Sequence, residues 1–313
     1  MARAIIIDTD PGQDDALAIL LALASPETLD VRAIVAVAGN VPLPLTQKNA
    51  RRLVDLAGRD DVPVYAGCAR PMVCALRTAE NVHGRSGVDG YDWPEPVTPL
   101  QEQHGVDFLI ETLLAAADGA ITLCTLGPLT NIAMALVKEP DCARGIGEII
   151  MMGGGFFAGG NTTPAAEFNI LVDPHAARVV FESGLKLTLL PLDVTHQALA
   201  TPQRVARFAA LGNETGRACA GMLSYFNRHD VEKYGEEGAP LHDPCVIAYL
   251  LRPELFSGKK IPVKIEISNG LTLGMTVMDW WGTTNAAPNC TVMNKIDADG
   301  YFSLLTEHFA RLP

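Results

Sequence analysis

The sequence predicts an α/β fold: a single domain over residues 1–313, with an open, mostly parallel central sheet flanked by helices. Apolar runs of strand length alternate with runs of helix length along most of the chain, which is typical of a parallel sheet covered on both faces. The chain is 48% hydrophobic and only 19% charged, as expected for a large buried core. No linker, repeat or low-complexity segment suggests a second domain.

Strands are predicted where short apolar runs end at turn residues, at 4–7, 31–37, 62–65, 120–126, 148–152 and 186–192. Helices are predicted at 16–24, 43–57, 105–117, 129–138, 173–183, 201–234 with breaks, 243–252 and 302–312. The irregular segment 68–104 has the length of a functional or mobile loop. The tail from 262 to 296 holds short alternating runs, predicted to be edge strands or hairpins.

Four carboxylates crowd the turn after the first predicted strand, at Asp8, Asp10, Asp14 and Asp15. Carboxylates this close repel one another and raise each other's pKa, so either protons or a cation must relieve the repulsion. Ca²⁺ suits flexible sites that are rich in carboxylates. A cluster that only caps the following helix is the alternative, but capping needs one acid and not four.

Polar residues follow the later strands in the same way. They are Asn40, the turn that begins at Leu126, the group Asn161, Glu167 and Asn169, and the pair His242–Asp243. Because ligands bind at the carboxyl ends of parallel strands, we expect these residues to converge with the acids at one edge of the sheet.

Charge and cysteine content narrow the class of protein. The net charge of −12, without basic clusters, argues against nucleic acid and anionic membranes as partners. The seven cysteines are odd in number and scattered, which predicts reduced thiols in a cytoplasmic protein. We find no apolar run of spanning length and no signal-peptide pattern at the N-terminus.

Seven segments, in order and covering most of the chain, together resemble the inosine–uridine-preferring nucleoside hydrolases. They are DTDPGQDDALAIL from Asp8, AGN at 38–40, NVHGRSGVDG from Asn81, LGPLTNIAMAL from Leu126, MMGG from Met151, AEFN at 166–169 followed by DPHAA, and LHDPC from Leu241. The resemblance implies the fold of that family and a Ca²⁺-dependent hydrolysis of ribonucleosides to ribose and a free base. It also implies a small-molecule ribonucleoside as the partner and a homo-oligomer, either a dimer or a tetramer.

The resemblance also implies a role for individual residues. The metal ligands would be Asp10, Asp15, Asp243 and the backbone carbonyl of Leu126. The substrate-binding residues would be Asp14, Asn40 and Asn169 at the ribose hydroxyls, Asn161 and Glu167 at the 5′ end, Met152 beside the ribose, and His83 and His242 near the base. Asp10 would also act as the general base, and His242 as an acid for the leaving base.

The chemistry of a ribonucleoside agrees with these roles. Cleavage of the C1′–N bond leaves an oxocarbenium-like ribosyl cation, which surrounding acids stabilise. The two histidines favour an inosine–uridine or pyrimidine preference, because the purine-specific branch of the family stacks tryptophans about the base. The segment from Tyr225 to Tyr234, with the loop near residue 83, is expected to cover the base.

Two other functions stay open at the level of sequence. A phosphatase that resembles the haloacid dehalogenases would use Asp8 as its nucleophile, but Pro11 stands where that family has glycine. A non-enzymatic protein that binds Ca²⁺ or sugar is the second alternative, and the presence of both Asp10 and the His242–Asp243 pair argues against it.

Overall fold

The computed structural model describes residues 2–234 and 237–313, and for residues 229–234 it describes the backbone alone. The strands in this part of the chain are β1 (Arg3–Thr9), β2 (Leu29–Ala36), β3 (Val64–Ala66), β4 (Ile121–Thr125), β5 (Ile146–Met152), β6 (Leu187–Leu190), β7 (Leu199–Ala200), β8 (Ala239–Pro240), β9 (Phe256–Ile261), β10 (Val263–Ile265), β11 (Thr276–Met278) and β12 (Cys290–Ile296).

The helices in the described residues are α1 (Gln13–Leu23), α2 (Leu43–Leu56), α3 (Glu80–His83), α4 (Gly105–Ala115), α5 (Thr130–Lys138), α6 (Phe168–Val172), α7 (Pro174–Phe181), α8 (Leu192–Thr195), α9 (Pro202–Ala209), α10 (Glu214–Tyr234), α11 (Pro244–Leu251) and α12 (Ala298–Phe309). Two short 3₁₀ segments, Pro140–Gly145 and Pro253–Leu255, precede β5 and β9. No helix in these ranges is long and apolar enough to cross a bilayer.

Eight strands form the central sheet in the order β3-β2-β1-β4-β5-β6-β12-β9. Neighbouring strands are parallel except for β12 and β9, which run antiparallel. This architecture confirms the predicted α/β fold with a mostly parallel sheet. The strand order reverses between β1 and β4, and the crevice at such a reversal is where open α/β sheets bind ligands.

The first strand shows why the sheet needs helices on both faces. Ile5 and Ile7 point into one core layer and Ile6 into the other, and all three side chains are fully buried. Burying an aliphatic side chain of this size stabilises the fold by roughly 1.5–3 kcal/mol. Helix α1 follows β1 and is buried along its whole length against α2, α10, α11 and α12, which explains its nearly continuous apolar sequence.

The tail differs in part from the prediction of edge strands or hairpins. β9 does lie at the edge of the sheet, and β10 pairs with β11 in a separate two-stranded hairpin. β12, however, is an interior strand inserted between β6 and β9. Its pairing with β6 joins segments about a hundred positions apart, a contact that local hydrophobic periodicity does not encode.

Candidate active site

A cavity of about 290 Å³ opens at the carboxyl edge of the sheet. It is bordered by segments that follow β1, β2, β4, β5 and β6 and by the start of α11, so the predicted convergence of strand ends is observed. Most of the residues predicted to act in the site line this cavity: Asp14, Asn40, His83, Leu126, Met152, Asn161, Glu167, Asn169, His242 and Asp243. The other two, Asp10 and Asp15, are fully buried.

Three carboxylates meet at the border of this cavity. Asp14, Asp15 and Asp243 each place a carboxylate oxygen within 4.8 Å of the others, and all three residues are buried. Two unit charges 4 Å apart repel by roughly 4 kcal/mol at the effective dielectric of a protein surface. Burial, together with the charge of Asp15, raises the pKa of Asp14 to about 8. Burial and the neighbouring acids likewise raise the pKa of Asp243 well above its usual range.

Asp10 lies in a tight cradle formed by two strand-end turns. Its Oδ2 accepts a hydrogen bond from the backbone N–H of Asn40 at 2.7 Å, whereas its buried Oδ1 has no hydrogen-bond partner. A Cβ at Gly39 would come within 2.0 Å of Oδ2, and one at Gly127 within 2.2 Å of Oδ1, so both turns need glycine. Burial, and then the charge of Asp15, raise the pKa of Asp10 well above its usual range.

Asp15 differs from its neighbours because donors surround it. Thr9 Oγ1 donates to its Oδ1 at 2.5 Å, and the backbone N–H of Gly12 and Nδ2 of Asn40 donate to its Oδ2. The Gly12 contact also closes the N-terminal turn of α1, as in a capping box. These bonds hold Asp15 in one orientation toward Asp14 and Asp243.

The donor set fits a hard divalent cation. Three buried carboxylates, those of Asp14, Asp15 and Asp243, lie close enough together to share one ion. Asp10 interacts electrostatically with Asp14 and Asp15, and one of its buried carboxylate oxygens lacks any hydrogen-bond partner. None of the salt bridges in the described part of the chain involves Asp10, Asp14, Asp15 or Asp243. Buried charges are normally paired or bound to metal, and oxygen-only sets of this kind suit Ca²⁺ or Mg²⁺.

The carbonyl of Leu126 is held beside the acids. Asn169 donates from Nδ2 to the Leu126 oxygen at 2.6 Å and to the Met152 oxygen at 3.3 Å. The backbone N–H of Leu126 donates to the carbonyl of Asp8. A carbonyl oxygen has two lone pairs, so the Leu126 oxygen can accept from Asn169 and still ligate a cation. Because Asn169 uses its N–H₂ group on the protein, its Oδ1 is the atom suited to accept from a hydroxyl.

Glu167 is fixed by the backbone of two segments. It caps α6 by accepting from the N–H groups of Asn169 and Ile170, and its Oε2 also accepts from the N–H of Gly154 at 2.9 Å. Burial raises the pKa of Glu167, although these backbone bonds favour the ionised form and oppose the shift. Asn161 accepts from the N–H of Phe168 and joins Glu167 on the same wall of the cavity.

Histidines occupy another wall. His83 stacks on Phe226 with ring centroids 5.5 Å apart, and His242 lies 5.7 Å from His196. Thr195 Oγ1 is 2.7 Å from Nδ1 of His242. Burial, and then the charges of His196 and His83, lower the pKa of His242 well below its usual value. The lowered pKa favours the neutral ring, which can donate a hydrogen bond from its N–H.

Asp8, the nucleophile in the phosphatase alternative, does not border the cavity. It is fully buried, and its Oδ2 accepts from Nδ2 of Asn131 on α5 at 2.8 Å. Burial raises its pKa to about 8 against the effect of that hydrogen bond. Asp8 is thus tied to α5, whereas Asp10 interacts with Asp14 and Asp15, and the structure gives the phosphatase alternative no support.

Sequence reasoning missed several residues that line the cavity, including one in the wall with His83 and His242, which is the wall expected to face the base and is called the base wall below. His196 ends α8 directly after β6, and Thr78 lies in the segment that was predicted only as an irregular loop. The one feature of the sequence that could have indicated a role for His196 is its position shortly after the end of a predicted strand. Phe226 falls in the segment predicted to cover the base, although the side chains of its last six residues, 229–234, lie outside the described part of the chain.

Fold and site together define an α/β enzyme whose polar pocket lies over buried acids suited to a cation. The profile of the inosine-uridine preferring nucleoside hydrolases matches residues 5–303, and the chain belongs to this family. Members of this class hydrolyse the N-glycosyl bond of ribonucleosides. The family therefore confirms the predicted enzyme class and excludes both alternatives considered from the sequence.

Individual relatives cover nearly the whole chain. The pyrimidine-specific ribonucleoside hydrolase RihA of Citrobacter koseri is 46% identical over 311 residues, 99% of each chain. Among solved structures, a plant nucleoside hydrolase, PpNRh1, is 33% identical with a TM-score of 0.90 and 99% coverage of both chains. A purine-preferring ribonucleoside hydrolase from Gardnerella vaginalis is 29% identical with a TM-score of 0.91 and 98% coverage of both. The fold is thus shared by relatives with different base preferences.

Proposed function

We propose that this protein hydrolyses pyrimidine ribonucleosides, uridine and cytidine foremost, with Ca²⁺ as its cation. The observation that carries this proposal is the group of buried carboxylates beside a polar pocket of about 290 Å³. Asp10, Asp15, Asp243 and the carbonyl of Leu126 would hold the cation, and Asp14 lies close enough to join them. When bound, the cation would lower the pKa of a water molecule and attract the cis-diol of ribose.

The protein's own groups supply the remaining chemistry. Asp10 Oδ1, which has no hydrogen-bond partner, takes the proton of the attacking water as the general base. Asp14 and Asn169 Oδ1 accept hydrogen bonds from the ribose hydroxyls, with Asn40 close by, and Asn161 and Glu167 bind the 5′ end. As the C1′–N bond breaks, the carboxylates stabilise the positive charge that develops on the ribose.

The leaving base would depart beside His83, His196 and His242. A neutral His242 would donate a hydrogen bond from its N–H to the departing base and so stabilise the negative charge on it. Met152 packs beside the ribose and contacts Nδ2 of Asn169 through its sulfur, at 3.6 Å.

The base wall supports a pyrimidine rather than a purine substrate. None of the three tryptophans borders the cavity as described. Trp93 donates its indole N–H to the carbonyl of Val88, and Trp280 and Trp281 gather around Phe157. The pyrimidine-specific relative from Citrobacter koseri supports the same preference.

Steady-state kinetics on a matched set of five nucleosides test the base preference. With Ca²⁺ present, kcat/KM for uridine and cytidine is expected to exceed that for inosine, adenosine and guanosine by at least about tenfold, the discrimination available from pocket fit alone. Equal or higher kcat/KM for the purine nucleosides would contradict the proposed preference while leaving the hydrolase class intact.

Three further properties belong to the proposal. A single catalytic domain over residues 1–313 is supported by the central sheet, which takes strands from both halves of the sequence. A cytoplasmic location is supported by the seven cysteines, all free thiols.

A homo-oligomer, either a dimer or a tetramer, is supported by exposed apolar side chains such as Phe157 and Trp281. Light scattering on the purified protein measures the oligomeric state directly.

A further inference from the structure

Gln13 is a fully buried polar residue to which the mechanism above assigns no role. It begins α1, next to Asp14, yet its side chain turns away from the acids toward the loop after α3. Its Nε2 donates to the carbonyl of His83 at 2.9 Å and to the carbonyl of Asp89 at 3.2 Å, and its Oε1 lies 2.7 Å from Nδ1 of His83. One side chain thus binds both the backbone and the ring of a residue in the base wall.

The partners of Gln13 fix the direction of each bond. Two backbone carbonyls surround one end of the amide, and because carbonyls only accept, that end must be the N–H₂ group. The other end is therefore the oxygen, which can only accept. Nδ1 of His83 must then carry the hydrogen, and in the neutral ring Nε2 is the acceptor nitrogen.

Neighbouring contacts hold the ring in place. A Cβ at Gly12 would lie 2.5 Å from Nδ1 of His83, so the ring lies directly against the glycine that precedes Gln13. Phe226 stacks on the ring at an interplanar angle of 27°. With Gln13 at its Nδ1 edge, the imidazole of His83 has little freedom to flip or to exchange tautomers.

We propose that Gln13 is a positioning residue for the base pocket, which holds His83 in place and in its Nδ1–H tautomer. In that tautomer the ring nitrogen of His83 that can accept a hydrogen bond is Nε2, and uracil carries a matching N–H donor at N3. The part of this inference that concerns substrate rests on the proposed function, whereas the tautomer is a property of the protein alone.

The tautomer is measured directly by ¹⁵N NMR of the histidine-labelled protein without substrate. The signals of His83 are assigned by their loss in His83→Phe. We expect the Nδ1–H tautomer in the wild-type protein and a shift toward the Nε2–H tautomer in Gln13→Leu. An Nε2–H tautomer in the wild-type protein, or an unchanged tautomer in Gln13→Leu, would overturn the proposal.

A double-mutant cycle tests whether Gln13 acts through His83. Gln13→Leu should lower kcat/KM for uridine by about tenfold, mainly through KM, because directly hydrogen-bonded residues are energetically coupled. In the His83→Phe background the same substitution should change kcat/KM less than about twofold. An equal loss in both backgrounds would show that Gln13 acts on the fold or on the acids instead.

A control variant and a replacement variant distinguish a specific effect of Gln13 from a general effect on the fold. Gln47→Leu, the same substitution on α2 outside the pocket, serves as the control and should leave the KM for uridine unchanged. If Gln13→Leu does not fold, Gln13→Met replaces it, because methionine keeps the length of the side chain. If the wild-type protein does not cleave uridine, the proposed function fails, and the NMR measurement still decides the role of Gln13.

Discussion

The side-chain amide of Asn169 donates a hydrogen bond to the carbonyl oxygen of Leu126, with 2.6 Å between the two atoms. This bond ties α6 to the turn after β4, and so ties the side of the pocket proposed to bind ribose to a carbonyl proposed to bind the cation. A single side chain can therefore affect both functions.

Replacement of Asn169 by aspartate is predicted to lower kcat/KM for uridine by at least about 100-fold, because a carboxylate cannot donate to the buried carbonyls of Leu126 and Met152. Asn289→Asp is the matched control, since Asn289 also donates from Nδ2 to two carbonyls, those of Phe181 and Val263, outside the pocket. The control should lower the Tm and leave the kinetics unchanged. Kinetics within threefold of wild type in Asn169→Asp would contradict the role of this bond.

Asp243→Asn is predicted to reduce kcat by at least about 10³-fold. A bound cation contributes several kcal/mol to such a reaction, and a loss of this size corresponds to about that change in rate. The fold should survive, because the substitution removes one of several mutually repelling buried charges. Without metal the variant should therefore have a Tm at or above that of the wild type, and Ca²⁺ should raise its Tm much less. Calorimetry with and without Ca²⁺ checks both points, and a clear loss of Tm in the metal-free variant would argue against repulsion among the acids.

The ribose contacts predict strong discrimination against 2′-deoxynucleosides. Asp14 and Asn169 would each lose a hydroxyl partner and remain unpaired in a largely buried site. We expect kcat/KM for 2′-deoxyuridine to be at least about 100-fold below that for uridine. Comparable values for the two substrates would show that these side chains do not recognise the sugar.

A pH-dependent contribution to stability is predicted at the opposite edge of the sheet. Burial alone would raise the pKa of Glu148, but hydrogen bonds from Thr188, Lys186 and Arg3 outweigh it and hold the pKa below its usual value. Since the folded pKa is depressed, the stabilisation is complete above the unfolded pKa and disappears as the pH falls through the folded value.

Glu148→Gln should therefore cost roughly 1–3 kcal/mol of unfolding free energy at pH 7 and progressively less below pH 4. Urea unfolding of both proteins at several pH values measures the difference. Because Glu148 lies away from the pocket, kcat should not change. A difference that stays constant from pH 7 to pH 3 would show that its charge is not what stabilises this edge.

Most of the fold and most of the acidic site could be predicted from local patterns in the sequence. The apolar run before Asp10, the Pro11–Gly12 turn and the helix that follows are all adjacent in sequence, so their arrangement follows from strand, turn and helix preferences. The parallel sheet then brings Asn40, Leu126 and Asp243 to the same edge.

Long-range pairing accounts for the features that the sequence did not reveal. The interior position of β12 depends on its contact with β6, and the place of His196 in the base wall depends on its contact with His242, 46 positions further along the chain. Gln13 is part of a recognised motif, but its hydrogen bonds reach a loop 70 residues away, and no local pattern predicts such a contact.

In the proposed function, the buried acids hold a divalent cation without which the glycosidic bond is not cleaved. The most direct test measures release of ribose from uridine by chelator-treated protein as Ca²⁺ is added back. We expect no turnover in the metal-free protein and a saturable recovery that Asp243→Asn lacks. Full turnover in the presence of excess chelator would contradict this account of the site.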